Sequence, residues 1–177
     1  MRRLLLILVC MCFLAGCQDS QKRDEESMKN YEAFINAVTN NKGIQSTFIP
    51  FDYKLVEQKQ NDGSYQYEVQ ISNPRVAMYD IQAIAVDPAV DSNTNIYPCI
   101  SLVGDDAKQI YYMIPYQANP SLGYISMIGL NGVSKEKQFT LHVLVSWKDS
   151  SRANTYRAYF NCSFAEAAEL EDIQDEQ

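Results

Sequence analysis

Residues 139–147, Phe-Thr-Leu-His-Val-Leu-Val-Ser-Trp, and residues 156–164, Tyr-Arg-Ala-Tyr-Phe-Asn-Cys-Ser-Phe, decide the fold. In an extended chain successive side chains point to opposite faces. Phe139, Leu141, Val143, Val145 and Trp147 therefore share one face, and Thr140, His142, Leu144 and Ser146 share the other. Tyr156, Ala158, Phe160, Cys162 and Phe164 line one face of the second run in the same way. A helix would scatter both apolar sets around its circumference, so the period of two specifies strands. The loop Lys148–Ala153 joins them as an antiparallel pair.

The same period runs back toward the N-terminus. Tyr53–Glu57 leads through Asn61-Asp62-Gly63 to alternating Tyr65, Tyr67, Val69 and Ile71, which is a hairpin signal. Asn73-Pro74 marks a turn, Val76–Val86 a strand, and Asp87-Pro88 its end. Further strands are predicted over Tyr97–Val103, Gln109–Pro115 and Tyr124–Leu130, punctuated by Asp105-Asp106, Asn119-Pro120 and Asn131-Gly132. Before Gly43 the period is 3.6: Met28, Tyr31, Phe34, Ile35 and Val38 form a stripe, acids crowd its start, and Asn41-Lys42-Gly43 ends it.

About eight strands after one amphipathic helix predict a mainly β chain, an antiparallel β-sandwich of immunoglobulin-like architecture. The alternative is an α+β, cystatin-like helix on an antiparallel sheet. Trp147 lies fifteen residues before Cys162, and Phe160 stands two residues before that Cys, so the antibody-type Cys–Trp–Cys order and tyrosine corner are not matched. The expected organisation is a leader over 1–16, a tether over 17–26, a helix over 27–43, a sandwich over 44–164 and an acidic tail over 165–177. That tail, with Glu166, Glu169, Glu171, Asp172, Asp175 and Glu176, reads as a solvated end.

Arg2 and Arg3, an uncharged apolar run from Leu4 to Phe13, and then Leu14-Ala15-Gly16-Cys17 have the layout of an export signal too short to span a bilayer once mature. Leu14-Ala15-Gly16-Cys17 resembles the lipobox of bacterial lipoproteins. The resemblance implies cleavage before Cys17, lipidation of Cys17, and an extracytoplasmic domain anchored to a membrane through that lipid. Gln18 stands where the familiar retention signal would place Asp, which points to the outer membrane in a diderm cell; in a monoderm the anchor lies in the outer leaflet of the cell membrane. Two or more acyl chains suffice for stable anchoring, where a single chain is marginal.

Cleavage would remove Arg2 and Arg3 but no acid, so the whole chain's charge of -7 becomes -9. Such an acidic chain argues against nucleic acid as a partner, because phosphate binding needs clustered Lys and Arg. Of the five cysteines, Cys10 and Cys12 leave with the leader and Cys17 is the lipidation site, so Cys99 and Cys162 remain. Two readings stand for them in an oxidising envelope: a disulfide contributing about 4 kcal/mol in the chain-entropy model, or two buried thiols. Neither has a partner at zinc-ligand spacing.

Catalytic chemistry finds little support. The single histidine, His142, sits mid-strand with no Gly-x-Ser-x-Gly beside a candidate nucleophile. A Cys99–His142 dyad is constructible, but Pro98 offers no helix N-terminus to acidify the thiol. Asp91-Ser92-Asn93-Thr94-Asn95 resembles the opening of an EF-hand loop, yet Ile96 stands where Gly is required and Leu102 where a bidentate Glu is required. No Gly-rich phosphate loop exists, and no metal or other cofactor is expected.

Tyrosine is the enriched residue, with twelve copies. Tyr97, Tyr111, Tyr112, Tyr116 and Tyr124 are the candidate binding surface, because tyrosine presents a large amphipathic area at low entropic cost. The alternative is ordinary sheet packing, for which tyrosine is equally well suited. Adjacent in a strand, Tyr111 and Tyr112 must face opposite sides. The expected function is a non-catalytic binding or assembly module meeting an envelope protein or glycan. The rivals are an enzyme or accessory of cell-wall metabolism and a small-ligand-binding lipoprotein.

Overall fold

The computed structural model describes residues 24–90 and 96–165. Helix α1 is already formed at residue 24 and runs to 41, so residues 24–26, expected in the tether, are helical. Asp24, Glu25 and Glu26 suit an early helical turn, where the macrodipole favours negative charge. Lys42 and Gly43 both take left-handed φ values, 52° and 73°, and end the helix.

The strands are β1 (Asp52–Lys59), β2 (Tyr65–Ser72), β3 (Tyr79–Val86), β4 (Cys99–Ile100), β5 (Met127–Ser134), β6 (Gln138–Lys148) and β7 (Thr155–Ala165). They form two antiparallel sheets, one of three strands in the order β1-β2-β5 and one of four in the order β4-β3-β6-β7. The result is mainly β and consistent with a β-sandwich. β6 and β7 pair without a break from Gln138 opposite Ala165 to Lys148 opposite Thr155.

Two hydrophobic clusters use the two faces of the four-stranded sheet. Its inner face, with Ile81, Ala83, Leu141, Val143, Val145, Trp147, Ala158, Phe160 and Cys162, meets Val69, Ile71, Ile128 and Leu130 of the three-stranded sheet. Phe51 and Tyr53 cross the gap to Phe160, with ring centroids 5.8 Å and 4.0 Å away. On the outer face Ile84, Val86 and Leu144 pack under Tyr31, Phe34 and Val38 of α1. Leu144, which alternation assigned to the polar side of β6, is fully buried because the helix covers it. The helix therefore stacks on a sheet that itself stacks on a second sheet. The segment after α1 also covers part of the β7 edge: Ser46 N–H donates to the Tyr159 carbonyl at 2.8 Å, and Asn161 Nδ2 to the Gly43 carbonyl at 2.7 Å.

Several expected strands are corrected. Seven strands are present among the described residues, and Tyr97–Val103 contributes only Cys99–Ile100. Gln109–Pro115 forms no strand of its own and meets the start of β3 through the bridge Met78–Met113 and the Ile81 N–H, which donates to the Tyr111 carbonyl at 3.1 Å. Asn131-Gly132 lies inside β5, which starts at Met127 instead of Tyr124. The glycine there serves packing: a Cβ on Gly132 would lie 2.4 Å from the ring end of Tyr67. Tyr156, expected on the core face, is half exposed at the loop end of the hairpin and stacks on Trp147, with centroids 6.0 Å apart.

Candidate recognition cleft

The segment between β4 and β5 holds most of the predicted tyrosines, and one tight turn organises its tip. Gln117 N–H donates to the Ile114 carbonyl at 3.1 Å, closing a four-residue turn with Pro115 at its second position. Tyr116 occupies the third position with φ of 63°. Proline followed by a positive φ is the type II pattern, in which the third position normally takes glycine. Tyrosine in left-handed backbone costs about 1–2 kcal/mol. Burial of the side chain does not offset that cost, because Tyr116 is 108% exposed.

The turn closes one side of an open cleft of about 660 Å³ at the end of the sandwich where β1 begins and β2 ends. Ile114, Ile125, Pro74 and Pro115 supply its apolar wall, and Asp52, Asn73, Arg75, Gln117 and Ser126 its polar groups. Pairing of β1 with β2 places Asp52 opposite Ser72, one residue from Asn73. Asn73 Nδ2 donates to Asp52 Oδ2 at 3.0 Å, and Arg75 Nη2 donates to Asp52 Oδ1. Arg75 is fixed further by its backbone N–H, which donates to the Pro50 carbonyl at 2.7 Å. The Asn73 hydrogen bond, followed by the Arg75 charge, lowers the Asp52 pKa below the ordinary carboxylate value. The carboxylate is thus ionised and its charge matched.

The five predicted tyrosines do not form one surface. Tyr97 is buried under α1. Tyr111 and Tyr112 diverge as alternation requires. The Tyr111 hydroxyl reaches Asp106 and Gln109, and burial raises its pKa, with Asp106 adding to the effect. Tyr112 packs at a tilt between Tyr79 and Tyr124, with centroids at 5.4 Å and 5.1 Å. The Arg152 guanidinium lies 5.2 Å from the Tyr79 centroid and 5.1 Å from that of Tyr112, so this cluster is already capped by a cation. Tyr116 alone reaches solvent fully. Tyr79, Arg152, Asp52, Asn73 and Arg75 were not singled out as site residues. The Asn73-Pro74 turn was the one local signal near them, since contacts across more than twenty residues leave no spacing pattern.

A second polar feature lies at the start of β3. Asp80 has φ of 48° at the irregularity between Tyr79 and Gln82 and forms an ion pair with Lys148 at 3.2 Å. Aspartate tolerates left-handed backbone, and bulges use such residues, so the pair stabilises a bend in the strand.

Cys99 and Cys162 are free. Cys99 packs on the helix side of the four-stranded sheet and Cys162 on the inner side. They stand on strands separated by two others, about 14 Å at normal strand spacing, whereas a disulfide needs Cα atoms within about 7 Å. The disulfide reading is thereby corrected. Burial pushes both thiols up to about 11, which disfavours the nucleophilic thiolate. His142 lies beside the end of α1, lining a recess with Thr39, Lys42 and Tyr97. No group of three or more potential metal ligands occurs among the described residues. Cys17, the EF-hand-like stretch 91–95 and the acidic tail from 166 onward lie outside the described residues. Neither a protein family, nor a curated protein, nor a solved structure matches this chain.

Proposed function

We propose that this protein is a lipid-anchored, extracytoplasmic β-sandwich of immunoglobulin-like architecture that acts as a non-catalytic binding or assembly module. The observation that carries the reading is Leu14-Ala15-Gly16-Cys17 at the end of an uncharged apolar run, a layout that makes Cys17 the acceptor for lipid. The strand order β1-β2-β5 facing β4-β3-β6-β7 supports the architecture, because the first, second and fifth strands share one sheet and the third joins the last two in the other. Tyr116 supports the binding role: a large amphipathic side chain held in solvent at a conformational cost adds little to folding and is placed for contact. Anchoring would confine the cleft to a membrane surface, where the raised effective concentration of co-anchored components makes weak contacts sufficient.

Metabolic labelling with an alkyne fatty acid tests the anchor. The wild-type chain takes the label and fractionates with membranes, and Cys17→Ser takes none. A Cys17→Ser protein that stays equally labelled and membrane-bound would overturn the proposal.

A further inference from the structure

We infer that the Tyr116 cleft binds a neutral, hydroxyl-rich oligosaccharide, with the Tyr116 ring as its stacking platform and the Asp52–Asn73–Arg75 triad as its hydrogen-bonding wall. The inference deepens the proposed function and rests on the reading of the sandwich as a binding module.

Charge comes first. Among the described residues, Asp52 and Arg75 are the only formally charged ones lining the cleft, and they are paired with each other. The charges of the lining thus cancel, so a charged ligand gains no net attraction there, whereas a neutral ligand can bind the pair as it stands.

Hydrogen-bonding geometry comes second. Carboxylate, guanidinium and the amides of Asn73 and Gln117 are planar groups with two adjacent donors or acceptors, and Ser126 adds a hydroxyl. Neighbouring hydroxyls on a sugar ring both donate and accept, so they fit such paired groups two at a time. The spare lone pairs of Asp52 and the outer N–H groups of Arg75 remain for this purpose, because the ion pair leaves each side chain half exposed, at 50% and 57%.

Shape comes third. A pyranose has an apolar C–H face, and an aromatic ring open to solvent on a stiff turn is a complementary platform. The cleft lies within the roughly 300–1,000 Å³ of typical small-ligand sites, and its open side lets a chain run past. An extended peptide is a poorer fit, because Pro74 and Pro115 in the wall lack the N–H groups that strand addition uses.

Isothermal titration calorimetry on the full-length chain, in a detergent without a sugar headgroup, decides the matter. The probes are cellotetraose, chitotetraose, maltotetraose and mannotetraose, with tetraglutamate and tetralysine as charged comparators. At least one neutral tetrasaccharide should saturate the protein, and Tyr116→Ala and Arg75→Ala should each weaken it by about tenfold or more. Tyr116→Phe, which keeps the ring, should stay close to wild type. The inference falls if none of the four saturates by about 10 mM, or if Tyr116→Ala binds as wild type does. It falls equally if a charged peptide binds in a Tyr116-dependent way. Calorimetry on purified protein does not depend on lipid at Cys17, so a failed titration and a failed labelling experiment are separable results.

Discussion

The Tyr31 hydroxyl accepts a 2.7 Å hydrogen bond from the backbone N–H of Tyr97, joining α1 to the strand edge across 66 residues. Tyr97 in turn donates its hydroxyl to the Val90 carbonyl at 2.6 Å. Burial raises the Tyr31 pKa, and the hydrogen bond from Tyr97 partly opposes it. The helix is thus held by a polar contact as well as by Phe34 and Val38, which gives its docking a defined register.

Tyr31→Phe keeps the ring and removes the acceptor from a buried amide. Chemical denaturation should show a loss of about 1–3 kcal/mol, with no change at the Tyr116 cleft. An unchanged midpoint would mean that apolar packing alone places the helix.

Gly132→Ala should be costly for a residue in mid-strand. The new methyl would meet Tyr67 at 2.4 Å and Pro98 at 2.9 Å, and the buried Tyr67 ring already packs against Phe139, with ring centroids 5.4 Å apart. Overpacking of this kind costs about 1–3 kcal/mol. Gly132→Ala with Tyr67→Ala should be less destabilised than the sum of the two single variants; simple additivity would refute the clash.

Both thiols should be silent in the folded protein. Ellman's reagent should react with Cys99 and Cys162 only on unfolding, and a reductant should leave the melting temperature of the Cys17→Ser chain unchanged. A melting temperature that falls on reduction would reveal a disulfide that the sheet topology forbids.

Alkaline pH should unfold the protein by a route visible in its buried acids. Burial, with a smaller contribution from Asp87, pushes Tyr67 up to about 12, and burial pushes Cys99 and Cys162 up to about 11. These groups stay protonated in the folded state after the unfolded chain has begun to lose their protons. Their contribution is therefore complete below pH 9, declines between about pH 9 and 12, and is lost once the folded values are passed. Tyr67→Phe should flatten that decline in a series of denaturant titrations, and an unaltered slope would contradict the assignment.

Tyr116→Gly should separate folding from binding. Relief of left-handed strain gains about 1–2 kcal/mol, while the looser unfolded chain costs about 0.5–1 kcal/mol. The net change should be neutral to slightly stabilising by thermal melt, together with loss of oligosaccharide binding. Marked destabilisation would show that the ring supports the fold after all.

The sandwich was legible wherever one strand carried its whole pattern. Tyr65 to Ile71 alternates cleanly, and Phe139 to Trp147 does so but for Leu144, so their register follows from the need to bury one face. The helix was legible for the same reason, from Tyr31, Phe34 and Val38 on one stripe. Local turn chemistry was a weaker guide. Asn131-Gly132 has the composition of a hairpin turn, yet the Tyr67 ring from the neighbouring strand determines why glycine stands there.

By itself the sequence settled the helix and the extended runs of β1, β2, β3, β6 and β7, because periodicity is a property of a single stretch of chain. Only the tertiary structure could decide that Tyr97 is interior, that Tyr112 is capped by Arg152, that Cys99 and Cys162 lie on opposite sides of one sheet, and that Asp52, Arg75 and Tyr116 share a cleft. Those relations depend on strand order and on what covers each face. They arise from backbone pairing between segments tens of residues apart, where no local spacing carries the information.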